Sequence, residues 1–572
     1  MDKAVDASGT APAGSEGGPT TAARSGTPVA SGCFLSQGGA EDRVDDLTLR
    51  ALNLVEEAQA GAAARVLAVA EAALREPTGE ISDGPAAMHF ARVVALTRLD
   101  DLPAAIAAAG LMLTAADREG SAGWRSCALS LRATRRLRLG DQDIAEYDIE
   151  AVLRDLVSAE IALLADEPDP VIRGNAHTGI AIGYAQLRLY ELAVPQFQAA
   201  YEATCRASYP DNGNRAMWLC NLAELNLIWA LELYQIGQVA EAEKLTTVAE
   251  EYAVRAAAEA SGPRAQVWRL SALLYAACSR ADRQDPAEAA ADIPRYVALL
   301  KGYGLKEQHQ ELLLCRPFHA VALRRSGRPD EALRVIQDAV ASLAPDTDWL
   351  ISAALHRTHA VLLAANGSPD AVPGLTYGDA LAELLWRQRQ RWLHTAMTMQ
   401  SYDVLRWQHE QAEQAAQTDP LTGVANRRGL DTFLQTLAAS GTAAEQPVAV
   451  LAADIDRFKH INDSLGHATG DDVLRAVAQL LTSNVRTGDL VARLGGDEFV
   501  AILPGAGTVA ATEVAQRVVR AIAGLTAWPV RVRVSVGVAS GRAYSFEEAL
   551  TRADSAMYAA KRAGGNRASV SA

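Results

Sequence analysis

Two kinds of apolar patterning divide the chain. From about residue 45 to 375, apolar residues recur at spacings of three and four, as in Leu52 to Leu74, Leu153 to Leu164 and Met217 to Tyr234. That period predicts amphipathic helices. Breaks fall at Gly140-Asp141, Asp166-Glu167-Pro168, Tyr209-Pro210-Asp211, Ser261-Gly262-Pro263 and Gly327-Arg328-Pro329. After Thr418 the pattern changes. Short apolar runs at Val448 to Ile455, Leu490 to Leu494, Phe499 to Leu503 and Val530 to Val538 predict strands, and the last alternates strictly. Helical periods lie between them at 471–485, 508–523 and 546–563. The order β-α-β-β-α-β is that of a ferredoxin-like α+β unit. In such a unit the first strand lies beside the hairpin. Asp454, at the end of the first strand, is therefore expected near Asp497 and Glu498, just after the Gly495-Gly496 turn.

The helical region contains repeats. Gly237-Gln238-Val239-Ala240-Glu241-Ala242 matches Gly327-Arg328-Pro329-Asp330-Glu331-Ala332, each with a further alanine seven residues on, Ala249 and Ala339. Tyr190-Glu191-Leu192-Ala193 with Phe197 and Ala200 is a third copy, and Leu102-Pro103-Ala104-Ala105 a looser fourth. Small alanines at fixed points let two antiparallel helices approach closely, and a glycine turns the chain between them. The pattern resembles the tetratricopeptide repeat, although the Trp and Pro positions of that consensus are mostly missing. The resemblance implies a superhelix with a concave groove for a protein or peptide partner.

The expected organisation is multidomain. A Gly-, Ala-, Ser- and Pro-rich disordered tail covers residues 1–43, and an all-α tetratricopeptide-like array covers 45–375. Pro373-Gly374 closes the array. A linker or signalling helix follows over 378–417, with a weak coiled-coil spacing at Leu381, Leu385, Trp392, Met399 and Tyr402. The α+β block occupies 418–572.

Composition narrows the function. The 572 residues carry a net charge of −15, which argues against a general nucleic-acid binder. Acidic and basic residues nearly balance after Thr418, so the acidity lies upstream. Six scattered cysteines without a CxxC pair form neither a zinc site nor a disulfide framework, and fit a cytoplasmic protein. No apolar run is long enough to predict a membrane span. Trp124, Trp218, Trp229, Trp268 and Trp349 read as core, and His177, His309, His319, His356 and His359 show no metal spacing.

The candidate chemistry gathers at the hairpin. Two adjacent carboxylates in a tight turn repel unless a cation holds them. Hard divalent cations take carboxylate oxygens. Around the hairpin stand Asp419-Pro420-Leu421-Thr422-Gly423, Asn426-Arg427-Arg428, Asp454-Ile455-Asp456-Arg457-Phe458-Lys459, Asn462-Asp463, Gly466-His467, Gly470-Asp471 and Arg493 to Phe499. Together these resemble the GGDEF diguanylate cyclase family over about 155 residues, as counted from Thr418 to Ala572.

The resemblance implies condensation of two GTP into cyclic di-GMP with release of two pyrophosphates. It implies Mg2+ or Mn2+, two ions per active site, held by Asp454, the Ile455 carbonyl, Asp497 and Glu498. Asp497, Glu498 and Lys459 are the implied catalytic residues, Asp497 being the proton acceptor. Phe458, Lys459, Asn462, Asp463, Asp471 and Lys561 are the implied substrate contacts. The backbone N–H groups of Phe458 and Lys459, expected in a loop after the first strand, meet phosphate, and Asn462 with Asp471 reads guanine.

Arg486-Thr487-Gly488-Asp489 has the spacing of the family's inhibitory product site, with Arg493 assisting. The same residues also read as a helix-terminal arginine and a turn aspartate. The family carries an arginine where this chain has Gly565, which implies weaker GTP binding. One block supplies one GTP site, so the family reaction implies a homodimer. The alternative is a receptor for cyclic di-GMP or GTP that does not turn over and acts through the repeat scaffold.

Overall fold

Among the described residues, five aspartates start helices in the N-terminal part of the protein. In the computed structural model, Asp101, Asp148, Asp169, Asp285 and Asp348 each accept a hydrogen bond from an amide in the first turn that follows. Such caps satisfy orphan N–H groups and contribute about 1 kcal/mol each. The structure describes residues 46–75, 85–142, 148–165, 167, 169–206, 213–262, 265–283, 285–344, 347–439, 447–542 and 546–571. The expected tail at 1–43 and the breaks at Tyr209-Pro210-Asp211, Asp166, Pro168 and Pro263 lie outside these residues.

The chain forms two compact units, Met1–Asp403 and Val404–Ala572. Among the described residues the first unit is built of helices: α1 (Asp46–Glu57), α2 (Ala63–Leu74), α3 (Ala86–Arg98), α4 (Leu102–Glu119), α5 (Ala122–Gln142), α6 (Ile149–Ala162), α7 (Pro170–Gln186), α8 (Tyr190–Arg206), α9 (Asn214–Gln235), α10 (Val239–Glu259), α11 (Gln266–Arg280), α12 (Pro286–Gly302), α13 (Gln310–Arg325), α14 (Pro329–Ala341), α15 (Trp349–Ala365) and most of α16 (Ala371–Gln417). From α1 to α15 successive helices pack on one another, and α5 also packs on α7, α9 on α11 and α11 on α13.

The repeats share a turn. Asp100, Arg188, Gly237 and Gly327 all adopt positive φ, at 63°, 58°, 75° and 76°. In each copy the next residue's N–H reaches back to a carbonyl in the preceding helix: Asp101 to Leu96, Leu189 to Tyr184, Gln238 to Leu233 and Arg328 to Leu323. A fully buried alanine follows in the next helix of each copy: Ala105, Ala193, Ala242 and Ala332. Two copies thus keep the left-handed turn without glycine.

Three sequence expectations are corrected here. The run from Leu52 to Leu74 is interrupted by Gly61 at φ 105°. Gly140 lies inside α5 and does not break it. Pro373-Gly374 does not close the array, because α16 begins at Ala371 and contains both. A proline in a first helical turn removes an N–H that has no helical acceptor anyway, so it does not oppose the helix.

The second unit holds the end of α16, then α17 (Arg427–Ala439), β1 (Pro447–Ile455), α18 (Phe458–Leu465), α19 (His467–Ser483), β2 (Leu490–Gly495), β3 (Glu498–Pro504), α20 (Thr508–Ala523), β4 (Val534–Arg542), α21 (Phe546–Arg562) and β5 (Arg567–Val570). The five strands lie in the order β2-β3-β1-β4-β5, with β1 antiparallel to both β3 and β4, and β5 parallel to β4. Strand alternation sends Ala449, Leu451, Ala453 and Ile455 into a core with α19 and α20. It sends Val448, Val450 and Ala452 to the other face, with α17 and α21. Asp454 continues that second set.

Strand β4 begins at Val534, later than the alternation from Val530 suggested. Its partner β1 ends at Ile455, which pairs with Val534, so residues 530–533 have no strand to join. The segment after β1 is the helix α18, where a loop was expected. The sequence reading also did not anticipate α17 and β5.

Gly537 in β4 sits under α21. A Cβ there would stand 1.9 Å from the Ala553 carbonyl oxygen and 2.3 Å from the Met557 nitrogen. Gly537→Val is expected to destabilise the unit by about 3 kcal/mol through overpacking against backbone. Chemical denaturation checks this; an unchanged midpoint would contradict it.

Candidate active site

Strand pairing gathers the carboxylates. Asp454 lies opposite Glu498 of β3 and opposite Ser535 of β4. The Ile455 N–H donates to the Asp497 carbonyl at 3.3 Å. The β2–β3 turn is Gly496-Asp497, with Gly495 at φ 152° and Gly496 at φ 55°. Asp454 is largely buried, Asp497 half-buried and Glu498 exposed. The convergence expected from the β-α-β-β-α-β order is what the register shows.

Lys561, near the end of α21, puts its ammonium 2.6 Å from Asp454 Oδ2. Burial pushes the Asp454 carboxyl above its ordinary pKa; Lys561 pulls it down, and Asp497 and Glu498 push it up. Among the described residues, no three His, Cys, Asp or Glu side chains are gathered closely enough to hold an ion by themselves. The donor chemistry nevertheless fits a hard cation: Asp454 already holds a cationic group, and its other carboxylate neighbours raise its need for positive charge.

The turn after β1 is held from below. Asp456 accepts from the Ser535 hydroxyl at 2.7 Å and from the Asn566 N–H at 2.7 Å. Arg457 takes φ 56° and starts α18. Phe458 and Lys459 are thus the first residues of that helix, whose opening N–H groups point away from the helix hydrogen bonds. Lys459 is exposed. On α18, Asn462 presses against Gly470 of α19: a Cβ on Gly470 would lie 1.8 Å from Asn462 Oδ1. Asp471 is the next residue of α19. Asp463 is exposed on α18.

Gly565 has a backbone reason. It sits at φ 72°, and a Cβ there would come within 2.6 Å of Asp456 Oδ2. The sequence reading treated this glycine only as a lost arginine; the structure shows it admitting the loop that caps Asp456.

Arg493 is placed differently from expectation. Its Nε and Nη2 donate to the Gly496 carbonyl at 3.0 and 2.8 Å, and its Nη1 meets both Asp419 oxygens at 3.0 and 3.2 Å. With its donors committed to the Gly496 carbonyl and to Asp419, it makes no hydrogen bond to Arg486 or Asp489 among the described residues. Burial pushes Asp419 up, but hydrogen bonds from Thr422 and Arg493 outweigh this and leave its pKa below the ordinary value.

Arg486 and Asp489 do form a unit. The Arg486 N–H donates to Asp489 Oδ2 at 3.0 Å and its Nε to Oδ1 at 3.3 Å. They line an open pocket of about 420 Å³ with Asn484, Val514 and Arg517. Arg517, which the sequence reading missed, donates to Asn484 Oδ1 and to its carbonyl. Its position on α20, 31 residues after Arg486, gave no local signal of this proximity.

Residues 416–567, which hold this sheet, its carboxylate hairpin and the flanking helices, match the family described as "Diguanylate cyclase, GGDEF domain". Among curated proteins, the chain is 40% identical over 172 residues to the response regulator PleD of Caulobacter vibrioides, covering 29% of this chain and 38% of PleD. It is 43% identical over 161 residues to the diguanylate cyclase DgcM of Escherichia coli strain K12, covering 28% of this chain and 39% of DgcM. The matches thus span well under half of the curated relatives' lengths. A crystal structure of the coiled coil and GGDEF domain of DgcB from Caulobacter crescentus in complex with c-di-GMP matches at 30% identity, covering 31% of this chain and 97% of that one, with a TM-score of 0.29. Among the described residues, no helix is long and apolar enough to cross a membrane.

Proposed function

We propose that the protein is a diguanylate cyclase, joining two GTP molecules into cyclic di-GMP and releasing two pyrophosphates. The observation that carries this reading is the pairing of Asp454 with the Asp497–Glu498 hairpin. Asp454, Asp497, Glu498 and the Ile455 carbonyl would hold Mg2+ or Mn2+, two ions per site, with phosphate oxygens completing the set. Bound metal neutralises phosphate charge and lowers the pKa of the attacking ribose 3′-hydroxyl.

The chain's own groups do the rest. Asp471 accepts from guanine N1–H and the N2 amine, and Asn462 flanks it. Phe458 and Lys459 present backbone N–H groups to phosphate at the start of α18, where the helix dipole favours negative charge. Lys459 and Lys561 add positive charge. When the phosphates arrive, Lys561 exchanges Asp454 for them. Asp497 holds the hydroxyl proton's path. Arg493 fixes the turn that carries Asp497, through the Gly496 carbonyl.

Each chain supplies one GTP site, so catalysis requires a homodimer. The helical array is a tetratricopeptide-like receiver for a protein or peptide partner, and α16 passes its state to the catalytic unit. Incubation with GTP and Mg2+, followed by nucleotide separation, tests the reading. Cyclic di-GMP is expected; none at any protein concentration would overturn it.

Arg486, Asp489 and Arg517 form the product-binding pocket. Arg486→Ala is expected to weaken product inhibition by roughly 10-fold or more, the loss of a charge-assisted contact to phosphate. Initial rates at rising cyclic di-GMP measure it, and an unchanged inhibition constant would remove the assignment.

A further inference from the structure

Residues of α3, α5 and α7 line a cavity of about 130 Å³ in the N-terminal unit. Two contacts give the direction of the first two helices. Arg135 Nε of α5 donates to the Thr97 hydroxyl of α3 at 2.9 Å, and Arg138 Nη2 donates to Asp100, just after α3, at 2.8 Å. Both pairs are 38 residues apart and rise together, so α3 and α5 run the same way.

The lining changes character along that direction. Phe90 and Val94 of α3 and Leu131 of α5 come first, and all three are buried. Arg98 of α3 and Arg135 and Arg138 of α5 come last. The cavity therefore has an apolar end and a cationic end. Arg98 is exposed and the other two arginines are half-buried, so the cationic end is the one that meets solvent.

Among the described residues, the lining carries three arginines and no Asp or Glu. Arg135 donates from Nε and Nη1 to the neutral hydroxyls of Thr97 and Thr134. This local excess of positive charge stands in a chain whose net charge is −15. Like charges gathered at one rim repel, and an anion between them relieves the repulsion. A guanidinium fork suits a carboxylate, which can accept two parallel N–H bonds. Size limits what stands behind that carboxylate. A dry cavity of roughly 150 Å³ admits benzene, so about 130 Å³ leaves room for one ring.

We propose that this cavity is a binding site for a small organic acid. Arg98, Arg135 and Arg138 hold its carboxylate, and an apolar body of one ring packs against Phe90, Val94 and Leu131. All of these residues belong to the N-terminal unit, so binding does not depend on the function proposed above. The site gives the helical array a small-molecule ligand of its own.

Calorimetric titration of the full chain with 3-phenylpropionate tests the proposal. The controls are 3-phenylpropionamide, which keeps the shape without the charge, and acetate, which keeps the charge without the ring. One saturable site is expected for 3-phenylpropionate, with the amide at least ~10-fold weaker through loss of charge-assisted hydrogen bonds. No saturable site is expected for acetate. Arg135→Gln is expected to weaken 3-phenylpropionate at least ~10-fold and to leave the amide unchanged. Arg98→Gln takes a charge from the exposed rim without touching the core, and should weaken the acid about 3-fold or more. Thermal melting checks that each variant folds. Three results would overturn the proposal: no saturable binding of 3-phenylpropionate, equal affinity for acid and amide, or unchanged affinity for the acid in folded Arg135→Gln. If Arg135→Gln loses its melting transition, an unchanged affinity in Arg98→Gln overturns it instead.

Discussion

Asp497→Ala is expected to abolish cyclic di-GMP formation while leaving the domain folded. Asp497 lies in the two-residue turn, half-exposed, and its backbone carbonyl rather than its carboxylate accepts the Ile455 N–H. Removing the side chain therefore deletes no hydrogen bond that holds β1 to the hairpin. What it deletes is one of the proposed metal-binding carboxylates beside Asp454. Loss of a metal's charge stabilisation costs several kcal/mol in the transition state, so the rate should fall roughly 1,000-fold or more. The melting temperature should hold or rise, because one repulsive neighbour of Asp454 is gone. Product at more than a few per cent of the unaltered rate would remove Asp497 from the chemistry. A lost thermal transition would make it a structural residue instead.

Asp471→Ala is expected to cost specificity for guanine. The carboxylate is half-exposed at the start of α19, next to the Gly470 contact that seats Asn462. In the proposed site guanine would offer it two donors and adenine none. A site built to hydrogen-bond a donor pair rejects the partner lacking it strongly, because its own groups are left unpaired. Removing the acceptor should lower kcat/KM for GTP by ~100-fold and narrow the gap between GTP binding and ATP binding. Competition of ATP against a fluorescent GTP analogue measures the gap. If discrimination survives Asp471→Ala, guanine is read by other residues.

Much of this site was legible before any coordinates. The order of apolar runs implied that β1 lies beside the β2–β3 hairpin, and the register then placed Asp454 opposite Glu498. The glycines in the motifs also carried information: Gly470 leaves room for Asn462, and Gly496 turns the chain. Three details were out of reach because they depend on long-range placement. Arg493 braces Asp419 and the turn, although its distance in sequence from Asp419 gives no clue. Lys561 reaches Asp454 because even-numbered residues of β1 face α21, which requires knowing the facing helix. Gly565 looked like a missing arginine until Asp456 was seen packed against it.

The helical array shows the same division. Alanine spacing pointed to four matching segments, and a recurring left-handed turn gives those segments a common geometry. The turn residues Asp100 and Arg188 were hidden, because glycine is the only strong sequence signal for positive φ. Arg389 sits in a run of alternating arginine and glutamine, Arg387-Gln388-Arg389-Gln390-Arg391, which reads as a solvated face. Only the packed array singles out the middle arginine for burial.

In the proposed reaction each chain contributes half of a site that joins two GTP molecules. The most direct measurement mixes unaltered protein with an equal amount of Asp497→Ala protein, allows subunits to exchange, and follows cyclic di-GMP formation per total chain. If two working halves must face each other, activity is expected to fall to about a quarter, the fraction of dimers with both halves intact. A fall only to one half would mean that single chains complete the reaction alone, and would contradict the account.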